Sequence, residues 1–482
     1  MEWLTAPDHW LTRAILERAV GAVYLIAFVV AARQFPALLG ERGILPAPEF
    51  LRQVRFADAP SLFHLRFSDR LLRLTAWTGA AIALAVVIGL PQAGPLWLTM
   101  LAWFVLWALY LSIVNVGQTF YAFGWESLLL EAGFLAIFLG NAATAPPTLI
   151  LLAYLWLAFR IEFGAGLIKL RGDRCWRELT CMDYHHETQP MPNPLSWYFH
   201  RLPRRLHRVE VLGNYVAQLV APVALLLPFP VGAAGAFVIL GTQGYLVVSG
   251  NYAWLNVLTM TATLPAIPDA VWRIAIPVTP PPLEWPAWFS ALVVEVAVVV
   301  ALLSYWPVRN LLSRRQLMNY SFNRWHLVNT YGAFGSVSRE RYEVVVEGAR
   351  AEPPTESDWL AYEFKGKPGD PRRRPPQVAP YHLRLDWLMW FLPLSPFFGR
   401  DWFPRFVEKL LEHDPGVRRL LRHDPFADAP PRYVRARLYL YRYTTADERR
   451  RTGAWWSRTL VGEYLPAVTL RSAVADAERC AA

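Results

Sequence analysis

The distribution of hydrophobic residues divides the chain at Pro307. Before this point they form long, nearly continuous stretches, and after it they alternate with polar residues. About 20 continuous apolar residues can cross a bilayer as a helix, whereas a membrane barrel would need alternation. The pattern predicts eight spanning helices, at 15–32, 74–90, 96–114, 126–140, 147–168, 211–228, 231–249 and 286–306. The first is interpreted as a retained helix, because no small-residue cleavage pattern follows it.

The alternating region predicts a soluble, mostly antiparallel β domain. Four stretches have the period of two that strands show, and turns rich in Pro and Gly separate them: 341–350, 359–367, 381–392 and 432–445. A short helix is predicted at 402–413. The expected architecture is therefore a polytopic transmembrane helical domain at 1–310, with a structured loop at 169–208. A sandwich-like β domain follows at 320–470, and then a flexible tail at 471–482.

Composition agrees with a membrane protein. The chain is 54% hydrophobic, holds 22 Trp and has a net charge of +10, almost all of it from Arg. In a membrane protein such a balance indicates contact with anionic lipids rather than nucleic acid. The preference for Arg, Ala, Leu and Pro is typical of a GC-rich, bacterial source. Membrane lipids are therefore expected partners, and nucleic acid is not.

The basic residues also predict an orientation. The loop 33–73 has seven Arg, and the segment 160–208 has eight Arg and Lys169. The positive-inside rule places both in the cytoplasm. With an even number of spans, the N-terminus and the β domain would then both lie outside.

Glu162 and Lys169 are the first candidates for chemistry. They are seven residues apart at the end of an apolar stretch, so a helix would place them on one face with Gly166 between them. Ionisable groups inside a membrane domain are costly and tend to face a partner or a polar cavity. Lys169 is therefore a candidate base in such a cavity, and the alternative is a structural ion pair that fixes the helix end.

The segment "DYHHETQPMPNPLSWYFH", 183–200, is the second candidate. His185 and Glu187 are candidate acid–base groups. No metal or cofactor is expected, because the histidine spacing is not that of a zinc site. Each proline fixes φ and extends its predecessor, which predicts a stiff platform for a partner protein. We call residues 183–198 the platform segment, and its predicted functional residues are Asp183, Tyr184, His185, His186, Glu187, Thr188, Gln189, Pro190, Pro192, Asn193, Pro194, Trp197 and Tyr198.

Other polar residues lie at the ends of apolar stretches, namely Glu126, Glu131, Asn251, Tyr252 and Asn256. They are interpreted either as cavity-lining groups or as hydrogen bonds between helices. The pair Cys175 and Cys181 does not form a metal or thiol-exchange motif, and the sequence leaves open whether it forms a disulfide.

Several blocks resemble one known family. They include "GQTFYAFGWESLLLEAGFL", "KLRGDRCWRELTCMDYHHETQPMPNPLSWYFH", "NRWHLVNTYGAFGSV" and "HDPFADAPPRYVRARLYLYRYT". The chain resembles the lipase maturation factor family from about Glu41 to about Pro466. The resemblance implies a polytopic protein, in animals of the endoplasmic reticulum, that secreted lipases need to reach their active folded state.

For a bacterial chain, the resemblance implies the plasma membrane, a periplasmic β domain and a client protein such as a secreted lipase. The order of a helical membrane domain followed by a β domain also resembles vitamin K-dependent carboxylases distantly. This second resemblance implies a membrane-embedded enzyme that uses Lys169 in a polar cavity.

Overall fold

The computed structural model describes residues 2–470, so the tail predicted at 471–482 lies outside the described residues. A helical region comes first and a sheet region follows, as predicted. The α-helices of the first region are α1 (Trp10–Leu39), α2 (Ala47–Gln53), α3 (Asp69–Ile88), α4 (Leu90–Ala93), α5 (Leu96–Asn115), α6 (Gly124–Ala136), α7 (Thr148–Arg171), α8 (Arg174–Arg177), α9 (Met182–Thr188), α10 (Ser196–His200), α11 (Arg204–Tyr215), α12 (Ala221–Leu225), α13 (Val231–Ser249), α14 (Leu255–Thr263), α15 (Asp269–Trp272), α16 (Ala287–Leu303) and α17 (Tyr305–Leu312). The second region contains β1 (Arg341–Ala349), β2 (Leu360–Ala361), α18 (Arg384–Phe391), α19 (Phe403–Leu411), α20 (Pro415–Arg418), β3 (Tyr433–Tyr443), α21 (Ala446–Thr452) and β4 (Trp456–Val468).

Six helical segments of the described chain are long and apolar enough to cross a membrane: Pro7–Leu39, Asp69–Ile88, Leu96–Asn115, Thr148–Arg171, Val231–Ser249 and Ala287–Leu312. They confirm six of the eight predicted spans. The other two predictions, 126–140 and 211–228, are wrong as single long helices. The helix α6 ends at Ala136, and a π-helical turn at Val216–Val220 interrupts the second segment.

The N-terminus and the sheet region lie at opposite ends of α1. At its start, the backbone N–H of Thr12 donates to Asp269 at 3.0 Å. Near its end, Gln34 donates to the carbonyl of His382, in the sheet region, at 2.7 Å. The helix between these two contacts is about 33 Å long. The prediction that the N-terminus and the β domain share a side is therefore wrong.

A helix that the sequence did not predict explains this error. Before α14, Trp254 donates to the carbonyl of Trp125, close to the sheet region. After α14, Asp269 binds the start of α1. The helix α14 thus carries the chain between the two ends, although it has only nine residues and no long apolar stretch.

The strands form one antiparallel sheet in the order β2-β1-β3-β4. This confirms an antiparallel sheet region and the strands predicted at 341–350 and 432–445. Only Leu360–Ala361 of the stretch 359–367 is a strand. The described residues hold a single four-stranded sheet, so the second layer that a sandwich needs is not formed by strands. Helices cover the sheet instead, as Phe406 of α19 belongs to the same buried core as Val344 and Ala436.

The stretch 381–392 was predicted as a strand and is helical at Arg384–Phe391. The alternation of polar and apolar residues did not indicate a half-exposed strand here, because the polar residues Arg384 and Asp386 are as buried as their apolar neighbours. The helix predicted at 402–413 is confirmed as α19. Strand β4 was not predicted, since most of its side chains are exposed and it contains Gly462 and Pro466, which suit an edge strand.

One continuous hydrophobic core runs through both regions. It joins Tyr24, Trp103 and Leu128 of the helical bundle to Trp387 and Val346 of the sheet region. The two regions therefore pack as one body in which the platform segment lies at the junction.

Candidate functional site

The platform segment is helical at both ends and irregular between them. Residues Met182–Thr188 form α9 and Ser196–His200 form α10, so a path without helix, which the prolines predict, is found only between these two helices. Between α9 and α10 the path is irregular, as the three prolines predict. The Ser196 hydroxyl fixes this turn, since it accepts from the N–H of Asn193 at 2.8 Å and donates to the carbonyl of Ser249 at 2.8 Å.

Arg341 of β1 joins the platform segment to the sheet. Its guanidinium donates to the carbonyl oxygens of Glu187 at 3.0 Å, Gln189 at 2.5 Å and Pro190 at 3.1 Å. Its charge is balanced by Glu343 at 2.6 Å, and Lys367 lies 2.8 Å from the same carboxylate. These three charged side chains are almost fully buried, so the junction is held by paired charges within the protein.

Two side chains of the platform segment, one from each half, bind the end of β3. The Glu187 carboxylate accepts from the N–H of Tyr443 at 2.6 Å, and the Trp197 indole donates to the carbonyl of Thr444 at 3.0 Å. Burial raises the pKa of Glu187, and the hydrogen bond from Tyr443 opposes this shift. Both contacts orient the sheet relative to the helices.

Asn251 completes the junction from the bundle side. Its amide donates to the carbonyl oxygens of Pro192 at 3.1 Å and Pro376 at 3.0 Å. Its carbonyl oxygen accepts from the N–H groups of Val378 and Ala379, both at 2.8 Å. One side chain thus connects the bundle, the platform segment and the loop that precedes α18.

The platform histidines face inward. His185 contacts the hydroxyl of Tyr252 at 2.9 Å, and burial together with the nearby His186 and Lys169 lowers the pKa of His185 to about 3. Its imidazole is therefore neutral. His186 instead faces Glu210 of α11 at 3.3 Å, beside His207. These last three are the described residues whose donor atoms come close enough to share a metal ion.

Most of the platform segment is buried. The residues from Thr188 to Asn193 are inside the protein, as are His185, His186 and Trp197. Asp183, Tyr184, Glu187 and Pro194 are partly covered, and Leu195 and Tyr198 are exposed. Direct contact with a partner is thus open mainly to the last two, while the geometry gives the others a positioning role.

Glu162 and Lys169 lie on one face of α7, as predicted, and the Gln218 side chain bridges them. Lys169 donates to the Gln218 oxygen at 2.7 Å, and Gln218 hydrogen-bonds to Glu162. Gln243 also donates to Glu162, at 2.5 Å. Gly166 allows this approach, because a Cβ there would lie 3.0 Å from the carbonyl oxygen of Gln218. Of the four catalytic candidates, His185 lies near Lys169, whereas Glu187 faces the sheet.

Glu126 and Glu131 each hold a segment from the later part of the chain. Glu126 pairs with Arg384 at 2.8 Å, and both side chains are fully buried. Glu131 pairs with Arg160 and accepts from the N–H of Asn329 at 2.9 Å. These contacts favour the structural interpretation of both glutamates over the cavity-lining one.

Sequence reasoning missed Arg341, Arg384, His207 and Glu210. Arg341 and Arg384 lie in stretches that resemble half-exposed strands, and no local signal marks them as buried. The pair His207 and Glu210 has a signal, since their spacing of three places both on one face of a helix.

Comparisons with known proteins agree on one family. A model described as the lipase maturation factor transmembrane domain matches residues 11–274, and one described as the lipase maturation factor C-terminal domain matches residues 327–466. No solved structure matches the chain.

Relatives match along nearly the whole length. Lipase maturation factor 1 of Homo sapiens is 42% identical over 500 residues, covering 96% of this chain and 88% of that protein. The Bos taurus protein of the same name is 41% identical over 505 residues, with coverages of 96% and 90%. Lipase maturation factor 2 of Homo sapiens is 29% identical over 604 residues, with coverages of 95% and 83%. The two family models together match most of the chain, and a relative is 42% identical over 96% of it. The chain therefore belongs to the lipase maturation factor family.

Proposed function

We propose that this protein is a membrane-bound maturation factor that helps secreted lipases reach their active folded or dimeric state. The match of 42% identity to lipase maturation factor 1, over both regions, carries the proposal. The proposed partners are a client lipase and the surrounding membrane lipids. The enzyme distantly like vitamin K-dependent carboxylases has no support in these matches.

We place the protein in a bacterial plasma membrane with the sheet region on the periplasmic side. A disulfide joins Cys175 to Cys181 near the platform segment, and such bonds persist on the oxidising side of a membrane. The positive-inside rule opposes this choice, because both Arg-rich segments lie at the sheet end. Several of those cations make contacts within the protein. Arg160 pairs with Glu131, and Lys169 donates to Gln218. We therefore base the proposed orientation on the disulfide rather than on the positive-inside rule.

The platform segment acts in this proposal by fixing the sheet relative to the bundle. A client that folds at the membrane surface needs a surface of constant shape, and the contacts of Arg341 and Asn251 supply it. Leu195 and Tyr198 are the parts of the platform segment exposed beside that surface. The buried members support the surface without touching the client.

A deletion strain tests the function. A secreted lipase is co-expressed with and without this protein, and its activity is measured per molecule of secreted lipase. We expect a loss of specific activity at unchanged lipase synthesis, and recovery when the gene is restored. Equal specific activity in both strains would refute the proposal for that lipase.

A further inference from the structure

Three side chains, one in the platform segment and two beside it, approach one another without forming part of the junction described above. His186 lies on α9, and His207 and Glu210 lie on one face of α11. One ligand atom of each lies within 4.8 Å of the others. The Glu210 carboxylate is 2.7 Å from Nδ1 of His207 and 3.3 Å from Nε2 of His186.

From this arrangement we propose that His186, His207 and Glu210 form a binding site for a divalent metal ion of the zinc class. Two imidazoles and one carboxylate are a donor set that zinc accepts. Bonds of 2.0–2.2 Å in a tetrahedron place neighbouring ligand atoms about 3.4 Å apart. The His186–Glu210 separation of 3.3 Å is in this range, the His207–Glu210 separation of 2.7 Å is shorter, and all three ligand atoms lie within 4.8 Å of one another, so small rotations of the side chains would complete the site.

Tyr245 of α13 supplies a further oxygen. Its hydroxyl donates to the same Glu210 carboxylate. It can occupy the fourth position of a tetrahedral ion or hold a water molecule there. The ion would then connect α9, α11 and α13.

The burial of both histidines favours a binding site over an accidental proximity of side chains. His186 is 1% exposed and His207 is 2% exposed. Nδ1 of His186 makes no hydrogen bond to any described residue. Among the described residues, its opposite nitrogen makes the only polar contact of that ring, with Glu210, and this is the nitrogen that would bind the ion.

The proposed ion would hold α9 in place. The helix α9 carries the first half of the platform segment, and Glu187, which binds β3, follows His186 directly. Metal binding does not require the client, so the metal site can be tested separately from the proposed function.

Metal titration tests the site. The full-length protein is purified in detergent, stripped with a chelator and titrated with Co²⁺, whose visible absorption reports tetrahedral nitrogen and oxygen ligands. Zn²⁺ is then added as a competitor. We expect about one equivalent of Co²⁺ per chain and its displacement by Zn²⁺. Failure of the wild-type protein to bind either ion at micromolar concentrations would overturn the proposal.

Variants identify the ligands. His207→Ala and Glu210→Gln each remove one of three protein ligands and should weaken binding by at least the roughly 10–100-fold that loss of an outer-shell partner costs. His423→Gln is the matched control, because His423 is exposed and lies in the sheet region. If His423→Gln weakens binding as much as His207→Ala, or if both ligand variants bind like the wild type, the assignment is wrong. Since the wild-type titration decides by itself, a variant that fails to fold does not obscure the result.

Discussion

Arg384 of the sheet region donates from Nη1 to a carboxylate oxygen of Glu126, in the helical bundle, at 2.8 Å, and both side chains are fully buried. The residues are 258 positions apart in the chain. Tyr110 donates to the same carboxylate, and His382 lies 3.5 Å from it. The two regions are thus joined by a charge pair that no water reaches.

Arg384→Gln should strongly destabilise the protein. Removing one partner of a buried pair leaves the other charge unpaired, at a cost of about 3–5 kcal/mol. Thermal unfolding in detergent measures the effect. Arg450→Gln is the matched control, because its pair with Asp447 is exposed and should contribute less than about 1 kcal/mol. Equal unfolding midpoints for the two variants would contradict the role given to Arg384.

Acid should weaken the same interface through His382. Burial, with Arg384 nearby, lowers the pKa of His382 from 6.5 to about 4, despite the opposing Glu126 carboxylate. The unfolded chain therefore binds a proton between pH 6.5 and 4 while the folded chain does not. Stability is unaffected above pH 6.5 and falls as the pH drops through this window, by up to about 3 kcal/mol.

The measurement is the unfolding midpoint between pH 8 and pH 5 for the wild type and for His382→Gln. The rings around His382 come from Phe123, Trp125, Trp254 and Trp387 and do not titrate, so the charged neighbours are Glu126 and Arg384. We expect a shallower pH dependence in the variant. Parallel curves would assign the acid sensitivity to other groups.

Reduction of the Cys175–Cys181 disulfide should lower stability and also reports the orientation. The bond closes a short loop, which limits its contribution to about 2 kcal/mol. Cys175→Ser with Cys181→Ser should show that loss in thermal unfolding. In protein from bacterial membranes, alkylation before and after reductant should differ by two thiols. Reaction of Cys175 and Cys181 themselves without reductant would place this end of the protein in the cytoplasm.

Asn251→Ala should loosen the junction while leaving the helices intact. The variant loses four hydrogen bonds to Pro192, Pro376, Val378 and Ala379 and leaves buried backbone groups unpaired. We expect faster proteolysis in the loop before α18 and reduced lipase specific activity. Asn141→Ala, at the opposite end of the bundle, is the control. If its digestion matches that of Asn251→Ala, the effect is not local to the junction.

The parts of this structure that sequence could predict depend on local rules. Long apolar stretches identified six spans, and the prolines at 190, 192 and 194 indicated the irregular path between α9 and α10. Spacing alone placed Glu162, Gly166 and Lys169 on one helix face. In contrast, Arg384 and Glu126 find each other only after the chain has folded, and the alternation around Arg384 is typical of a strand. The sequence also does not predict short crossing helices such as α14, because tertiary packing, rather than their own length, stabilises them.

Lys169 provides the sharpest separation between a structural and a catalytic role. Its ammonium donates to Gln218 at 2.7 Å and lies 4.9 Å from the ring centre of Trp176, and its side chain is almost fully buried. Lys169→Met leaves the Gln218 oxygen without its donor, at a cost of about 1–3 kcal/mol. Lys169→Arg retains the charge in a larger group that must displace these neighbours. We expect both variants to yield less folded protein but full lipase maturation per folded molecule, since the polar chain from Lys169 to Glu162 holds α7 against the π-helical turn. A Lys169→Met protein that is folded in normal amount yet inactive would instead require the ammonium in the chemistry of the site.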